Sequence, residues 1–424
     1  MTTMRSILLY IDPGTGSMLF SILIGIVGVL VFAVRTFWIK LKFIITGGRA
    51  KNADKNKLPI VIFSEGKRYW SVFRPVCDEF ESRGKDVYYY TSTQDDPALT
   101  KEYKHVHAEF IGEGNKGISK MNLIRADVIL STTPSLDVFQ WKRSKEGRYY
   151  VHLPHLANDL TTYRMFGLDF YDAVLLSGQY QADEIRRLEN IRHIPAKELK
   201  LVGVPYLDVM ADRLTKNGKA PENDKPVVLI APSWGTSSIL NVYGDALIDA
   251  LIDTGYEIVI RPHPQSFESE KDLMDRLMAK YPDGGKVTWN RDADNFDILN
   301  KADILISDFS GVLFDFSLVF DKPIIYAVSE FDRTPYDCAW DEEPLWTFEV
   351  LPKIGKELNK DNSKDIAKIV DDCLNGTSAK ALAGARDEAR KETWCNIGSG
   401  AKHTVDYLLN KYDELNKEKE EVKS

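Results

Sequence analysis

The sequence predicts an α/β fold of two Rossmann-like halves facing a cleft, preceded by an N-terminal transmembrane helix. Three observations predict it. Short apolar runs of strand length alternate with helical patterns through most of the 424 residues, as in a largely parallel sheet covered by helices. The alternation pauses at a polar stretch containing Pro and Gly, residues 217–225, and then restarts. Residues 13–34 carry no charge and are rich in Leu, Ile, Val and Phe, and about 20 such residues suffice to cross a bilayer.

The first 57 residues read as an anchor and basic linker. Only Arg5, offset by Asp12, precedes the apolar run, whereas Arg35, Lys40, Lys42, Arg49, Lys51, Lys55 and Lys57 follow it. That asymmetry puts the C-terminal side in the cytoplasm. A cleaved signal peptide would carry its positive charge first and a shorter apolar core. A retained single-pass cell-membrane anchor is therefore expected, with residues 37–45 extending it along the interface.

The first half is expected over residues 58–215. Residues 59–63 form a buried strand, 69–82 a helix ending near Gly84, and 86–90 the next strand. Strands at 126–130, 149–152 and 172–176 each precede a turn or helix, and 201–208 closes the half. The second half, residues 225–415, opens with a strand at 226–230 and a loop at 232–236. A helix at 244–253, a strand entering Arg261, a helix at 268–280 and a strand near Val287 follow. Strands at 304–306 and 322–326 come next. Beyond Ser363 the pattern is of charged helices, and the charged tail 416–424 is expected to fray.

The apolar fraction of 44% suits a packed protein, and a net charge of −8 argues against a nucleic-acid partner. Cys77, Cys338, Cys373 and Cys395 are scattered without a C-x-x-C pair, so neither a zinc site nor a disulfide framework is expected.

The chemistry concentrates in residues 303–315, DILISDFSGVLFD. A buried strand ends in a polar turn and enters an apolar helix, a junction at the carboxyl edge where ligands bind. A helix start offers unpaired N–H groups and a positive dipole end to a phosphate. Ser307, Ser310 and Gly311 are small enough to let a phosphate reach the backbone, with Asp308 and Asp315 flanking them. An ordinary N-capped loop is the alternative, and Asp315 can merely cap or pair.

The strand before Pro262 brings Arg261 and His263 to the same edge, where His263 stands between two prolines. There they can stabilise phosphate charge or protonate a leaving group. Ser233 and Trp234 follow the first strand of the second half, near a nucleotide base or ribose, with packing the alternative for Trp234. In the first half, His155 lies beyond a strand end and is a general-base candidate, whereas His152 lies within the strand and reads as packed.

Three patterns mislead. The G-x-G-x-x-G match at residues 112–117 is isolated. Asp292 and Asp294 imitate a metal-binding D-x-D where helix capping suffices. No phosphate-binding P-loop motif occurs.

Together, residues 261–264 (RPHP), 231–234 (APSW), 306–316 (ISDFSGVLFDF) and 321–325 (DKPII) resemble the CDP-glycerol glycerophosphotransferases of teichoic acid synthesis. The likeness covers roughly residues 150–415. It implies a GT-B-like fold, no essential metal or cofactor, and a location on the cytoplasmic membrane face. The implied reaction moves glycerol phosphate from CDP-glycerol, or a similar CDP-polyol, to a lipid-linked or polymeric acceptor and releases CMP. The family's first-domain histidine base maps by position to His155, with His152 second, although the surrounding Trp-His-Gly pattern is missing. Its second histidine maps to His263. A sugar-nucleotide glycosyltransferase or epimerase, and a non-catalytic envelope scaffold, are the alternatives.

Overall fold

Strand β1 (Leu58–Ser64) is buried over its last five residues, and β4 (Ala126–Ser131) over its whole length. Strands apolar on both faces belong in the middle of a parallel sheet, and these two pair directly. With β2 (Val87–Thr91), β3 (Val106–Phe110), β5 (Gly147–His152), β6 (Ala173–Leu176) and β7 (Glu198–Leu201) they form a seven-stranded sheet. Its order is β3-β2-β1-β4-β5-β6-β7, and every pairing is parallel. A second parallel sheet comprises β8 (Val227–Ile230), β9 (Glu257–Ile260), β10 (Val287–Trp289), β11 (Ile304–Ser307), β12 (Ile324–Ala327) and β13 (Gly355–Leu358). It runs in the order β10-β9-β8-β11-β12-β13.

This computed structural model describes Leu30, Val34 and residues 57–292, 294–327 and 331–423. The proposed anchor at residues 13–34 lies outside these, apart from Leu30 and Val34, which are helical and exposed. Among the described residues no helix is long and apolar enough to cross a membrane.

Both sheets change winding direction beside their first strand, between β1 and β4 and between β8 and β11. Ligand crevices form outside the carboxyl ends at such points. Register makes the edges level. Phe63 pairs with Ser131, and Ser131 with His152, so the loops after β1, β4 and β5 emerge side by side. Ile230 pairs with both Ile260 and Ile306, so Ala231, Arg261 and Ser307 do the same in the second lobe.

Strands β7 and β13 differ from the sequence reading. Both lie at sheet edges, and β7 is mostly exposed and charged, so no apolar run announces it. Residues 201–208 end β7 and open the helix Pro205–Asn217, with Pro205 at its first position. Residues 416–423 do not fray but continue the helix Gly400–Lys423, where Arg148 meets Glu418 and Lys419 meets Asp127.

The lobes share apolar packing. Trp346 stacks on Tyr180 of the first lobe at 4.1 Å between ring centres and lies 5.2 Å from Phe314. The chain then crosses back. Asp208 accepts hydrogen bonds from Trp394 Nε1 (2.9 Å) and the amides of Gly398 and Gly400 (2.7 Å each). From there the final helix lies on the first lobe, where Arg83 bonds Asp406 (2.6 Å) and Arg148 bonds the Leu415 carbonyl (2.8 Å).

Candidate active site

At the end of β11 the structure divides the expected phosphate residues into two groups. Ser307 is buried and donates to the Ala231 carbonyl (2.5 Å), fastening β11 to the loop after β8. Asp308, also buried, accepts the amides of Ser233 (3.1 Å) and Ile239 (3.0 Å). Burial raises its pKa while those amides oppose the rise. Both side chains brace the 231–239 loop. A serine at a strand end points to the neighbouring strand or to the cleft according to register, and here it points to the strand.

Ser310 and Gly311 stay at the surface of the junction. Their carbonyls accept from Leu313 (3.1 Å) and Phe314 (3.0 Å), and no bond from their own amides is present among the described residues. The expected helix is short: one α turn, Val312–Phe314, runs into a π-helical turn, Asp315–Val319. The dipole there is correspondingly modest, so the local amides carry more of any anion attraction. Gly311 has ordinary α-region angles. It is small because a Cβ there would stand 2.9 Å from Leu156 Cδ2. The loop carrying His155 thus meets the junction from the opposite lobe. Asp315 pairs rather than binds: buried, it accepts from the Tyr206 hydroxyl of the first lobe, and burial lifts its pKa to about 7.

Arg261 leaves β9 partly buried, and its guanidinium donates to Asn290 Oδ1 and, at 2.8 Å, to the Asp292 carbonyl. It holds the loop after β10 and is already engaged. His263 remains exposed, and its Nδ1 accepts the Gln265 amide (3.1 Å). Its Nε2 is therefore the protonated, outward nitrogen of a neutral ring. Trp234, 51% exposed, stands 6.4 Å away between ring centres, so these two expected residues do come together. Asp294, of the misleading acidic pair, caps the Phe296 amide (2.9 Å) and pairs with Arg213. No cluster able to hold a metal occurs among the described residues.

In the first lobe His152 is fully buried, with Nε2 3.1 Å from the Tyr163 hydroxyl. Burial, then His155, drives its pKa to about 3. His155, partly buried, places Nδ1 3.2 Å from Thr132 Oγ1 and its ring 5.3 Å from that of Tyr69. Burial first, and the Arg68 charge second, lower it to about 4. Although part of the His263 ring is open to solvent, the protein packed around the rest desolvates it and, with the same Arg68, lowers its pKa too. One guanidinium from the first lobe thus acts on an imidazole from each sheet. Sequence reasoning missed Arg68. The available signal was its position after β1, at the same kind of edge that singled out Arg261.

Among solved structures, the wall teichoic acid polymerase TagF is 16% identical, covering 91% of this chain and 98% of that one, with a TM-score of 0.55. A putative UDP-N-acetylglucosamine 2-epimerase from Listeria monocytogenes is 12% identical over 84% of this chain and 97% of its own, at 0.56. The UDP-GlcNAc 2-epimerase of Neisseria meningitidis, bound to UDP-GlcNAc, is 13% identical over 83% and 99%, at 0.51. At such identities the likeness is one of fold, a GT-B-like pair of lobes. No curated protein matches the chain. The family model for CDP-glycerol:poly(glycerophosphate) glycerophosphotransferase matches residues 119–339, more than half of the sequence and the stretch running from before His155 to beyond the Gly311 junction. The chain belongs to that family and is a transferase of the CDP-glycerol glycerophosphotransferase type.

Proposed function

We propose that the protein transfers glycerol phosphate, or a related polyol phosphate, from a CDP-activated donor to a hydroxyl of a lipid-linked or polymeric cell-envelope acceptor, releasing CMP. The observation that carries this reading is the meeting of the two carboxyl edges. Leu156, next to His155, abuts Gly311, and Arg68 acts on both His155 and His263.

With Nδ1–H given to Thr132, His155 keeps a lone pair on Nε2 to take the acceptor hydroxyl proton. The oxygen bonds to the donor β-phosphorus, the bond from that phosphorus to the bridging oxygen breaks, and CMP departs. His263 Nε2–H and the Ser310 and Gly311 amides face the phosphate charge, since this chemistry needs chiefly positioning and charge stabilisation. A bound diphosphate also offsets the Arg68 charge, the second cause of the low His155 pKa, and so restores part of its basicity. TagF, a structural relative in a variant form, was soaked with CDPG. Residues 13–34 would hold the catalytic body at the membrane, on the cytoplasmic side.

Epimerases share the fold as closely as TagF does, so the product must discriminate. Purified protein is given CDP-glycerol, other CDP-polyols and UDP-sugars with a lipid-linked acceptor, and the nucleotide formed is weighed by mass spectrometry. CMP from a CDP-polyol supports the proposal. UDP release or an epimerised sugar nucleotide assigns the protein elsewhere, and unaltered donors that nevertheless bind identify a scaffold. His263→Ala should lower kcat by about 10²–10⁴-fold with unchanged circular dichroism, and near-normal turnover would refute its role.

A further inference from the structure

Arg68 lies outside every motif that pointed to the transferase, yet its charge is only loosely held. Its loop is well built. Ser64, at the end of β1, donates through Oγ to the Gly66 carbonyl (3.0 Å), and the Lys67 amide donates to Thr93 Oγ1 (2.9 Å). The backbone is tied within the loop and to the loop after β2, while the Arg68 side chain extends from it 72% exposed. Its only ion pair among the described residues is Glu65, at 3.7 Å, and exposed contacts of that length are weak. Otherwise it rests on the Tyr69 ring, 4.7 Å from guanidinium carbon to ring centre. Tyr69 in turn meets His155 edge-on at 5.3 Å. Arg261, the residue motif reading favoured, is by contrast tied to Asn290 and Asp292.

We propose that Arg68 is a donor-binding residue, swinging from Glu65 and Tyr69 onto the diphosphate held by the opposite lobe. A planar guanidinium suits two phosphate oxygens at once. The groups facing it fit this role: its charge reaches both His155 and His263, Glu270 acts on His263 with the opposite sign, and Glu65 is pushed towards its neutral form by burial. Neutralising Glu65 would free Arg68 for an anion. The inference rests on the transferase reading for its ligand but is tested separately from it.

The test compares Arg68→Met, Arg68→Lys and, as a neighbouring control, Lys67→Met in the full chain. Binding of CDP is measured by calorimetry, and kcat and KM for CDP-glycerol by CMP release. Removing one charge-assisted contact should weaken CDP binding and kcat/KM by about 10- to 200-fold. Arg68→Met keeps the stem over Tyr69, so a packing role would leave it near normal. Arg68→Lys should recover part of the loss, and Lys67→Met should match wild type. NMR titration should show the midpoints of both His155 and His263 rising in Arg68→Met and staying low in Arg68→Lys. Wild-type CDP affinity in Arg68→Met overturns the inference whatever the two midpoints do. If wild-type protein binds CDP but does not turn over CDP-glycerol, the transferase reading fails, and the CDP affinities still decide the role of Arg68.

Discussion

Acidification should destabilise the first lobe through two imidazoles that the fold keeps uncharged. Burial takes His152 from an ordinary 6.5 to about 3 and His155 to about 4. In both cases the folded pKa is depressed, so between pH 6.5 and pH 4 the unfolded chain binds more protons. Stability from these groups is present above pH 6.5 and is lost as pH falls through that window. At pH 5 the difference amounts to about 2 kcal/mol for each histidine, from RT times the logarithm of the ratio of the two binding polynomials. Other groups pull the opposite way: burial raises Glu184 and Asp315, and their protonated forms favour the fold in acid. The informative quantity is therefore a difference between variants. Urea unfolding at pH 7 and pH 5 is measured for wild type, His152→Gln and His155→Gln. Each substitution should remove about 2 kcal/mol of the change on going from pH 7 to pH 5. If His155→Gln and wild type show the same change, His155 is not desolvated, and the picture of a neutral base in a closed cleft fails with it.

Asp315→Asn should abolish a second pH dependence of opposite sign. A folded pKa of about 7 means that wild type loses about 3 kcal/mol from this group as pH rises from 4.5 to 7, and the variant should not, by urea unfolding across that range. Trp346→Ala removes a ring packed between Tyr180 and Phe314 and should cost about 3–5 kcal/mol, read as a lowered denaturant midpoint. Gly311→Ala should fold, because its angles suit alanine and Leu156 is a flexible side chain. Its methyl would nonetheless wedge within 2.9 Å of Leu156, and CDP-glycerol turnover should fall more than tenfold if the junction binds phosphate.

The sequence revealed those parts of the fold whose surroundings are uniform. Residues 59–63 and 304–306 read as strands because both faces are apolar, as a central parallel strand requires. β7 escaped because an edge strand has solvent on one side and needs no apolar pattern. His155 and His263 were visible because prolines mark where their strands end. The bonds of Ser307 and Asp308 to the 231–239 loop were not legible, because spacing alone cannot tell which neighbouring segment a side chain meets. Arg68 was hidden for a different reason: a basic residue in a short polar loop looks like any solvated charge until the opposite lobe is in place.

The closing helix has a consequence for how the protein is made. Residues 400–423 lie against elements formed up to 323 positions earlier, as the Arg83–Asp406 bond illustrates. During synthesis the amino-terminal lobe would wait, with that flank bare, until this helix emerges from the ribosome. Contacts so distant along the chain slow assembly and leave sticky intermediates. Premature termination near residue 395 should therefore harm the earliest-made lobe rather than the one just completed, leaving material that chaperones or proteases remove.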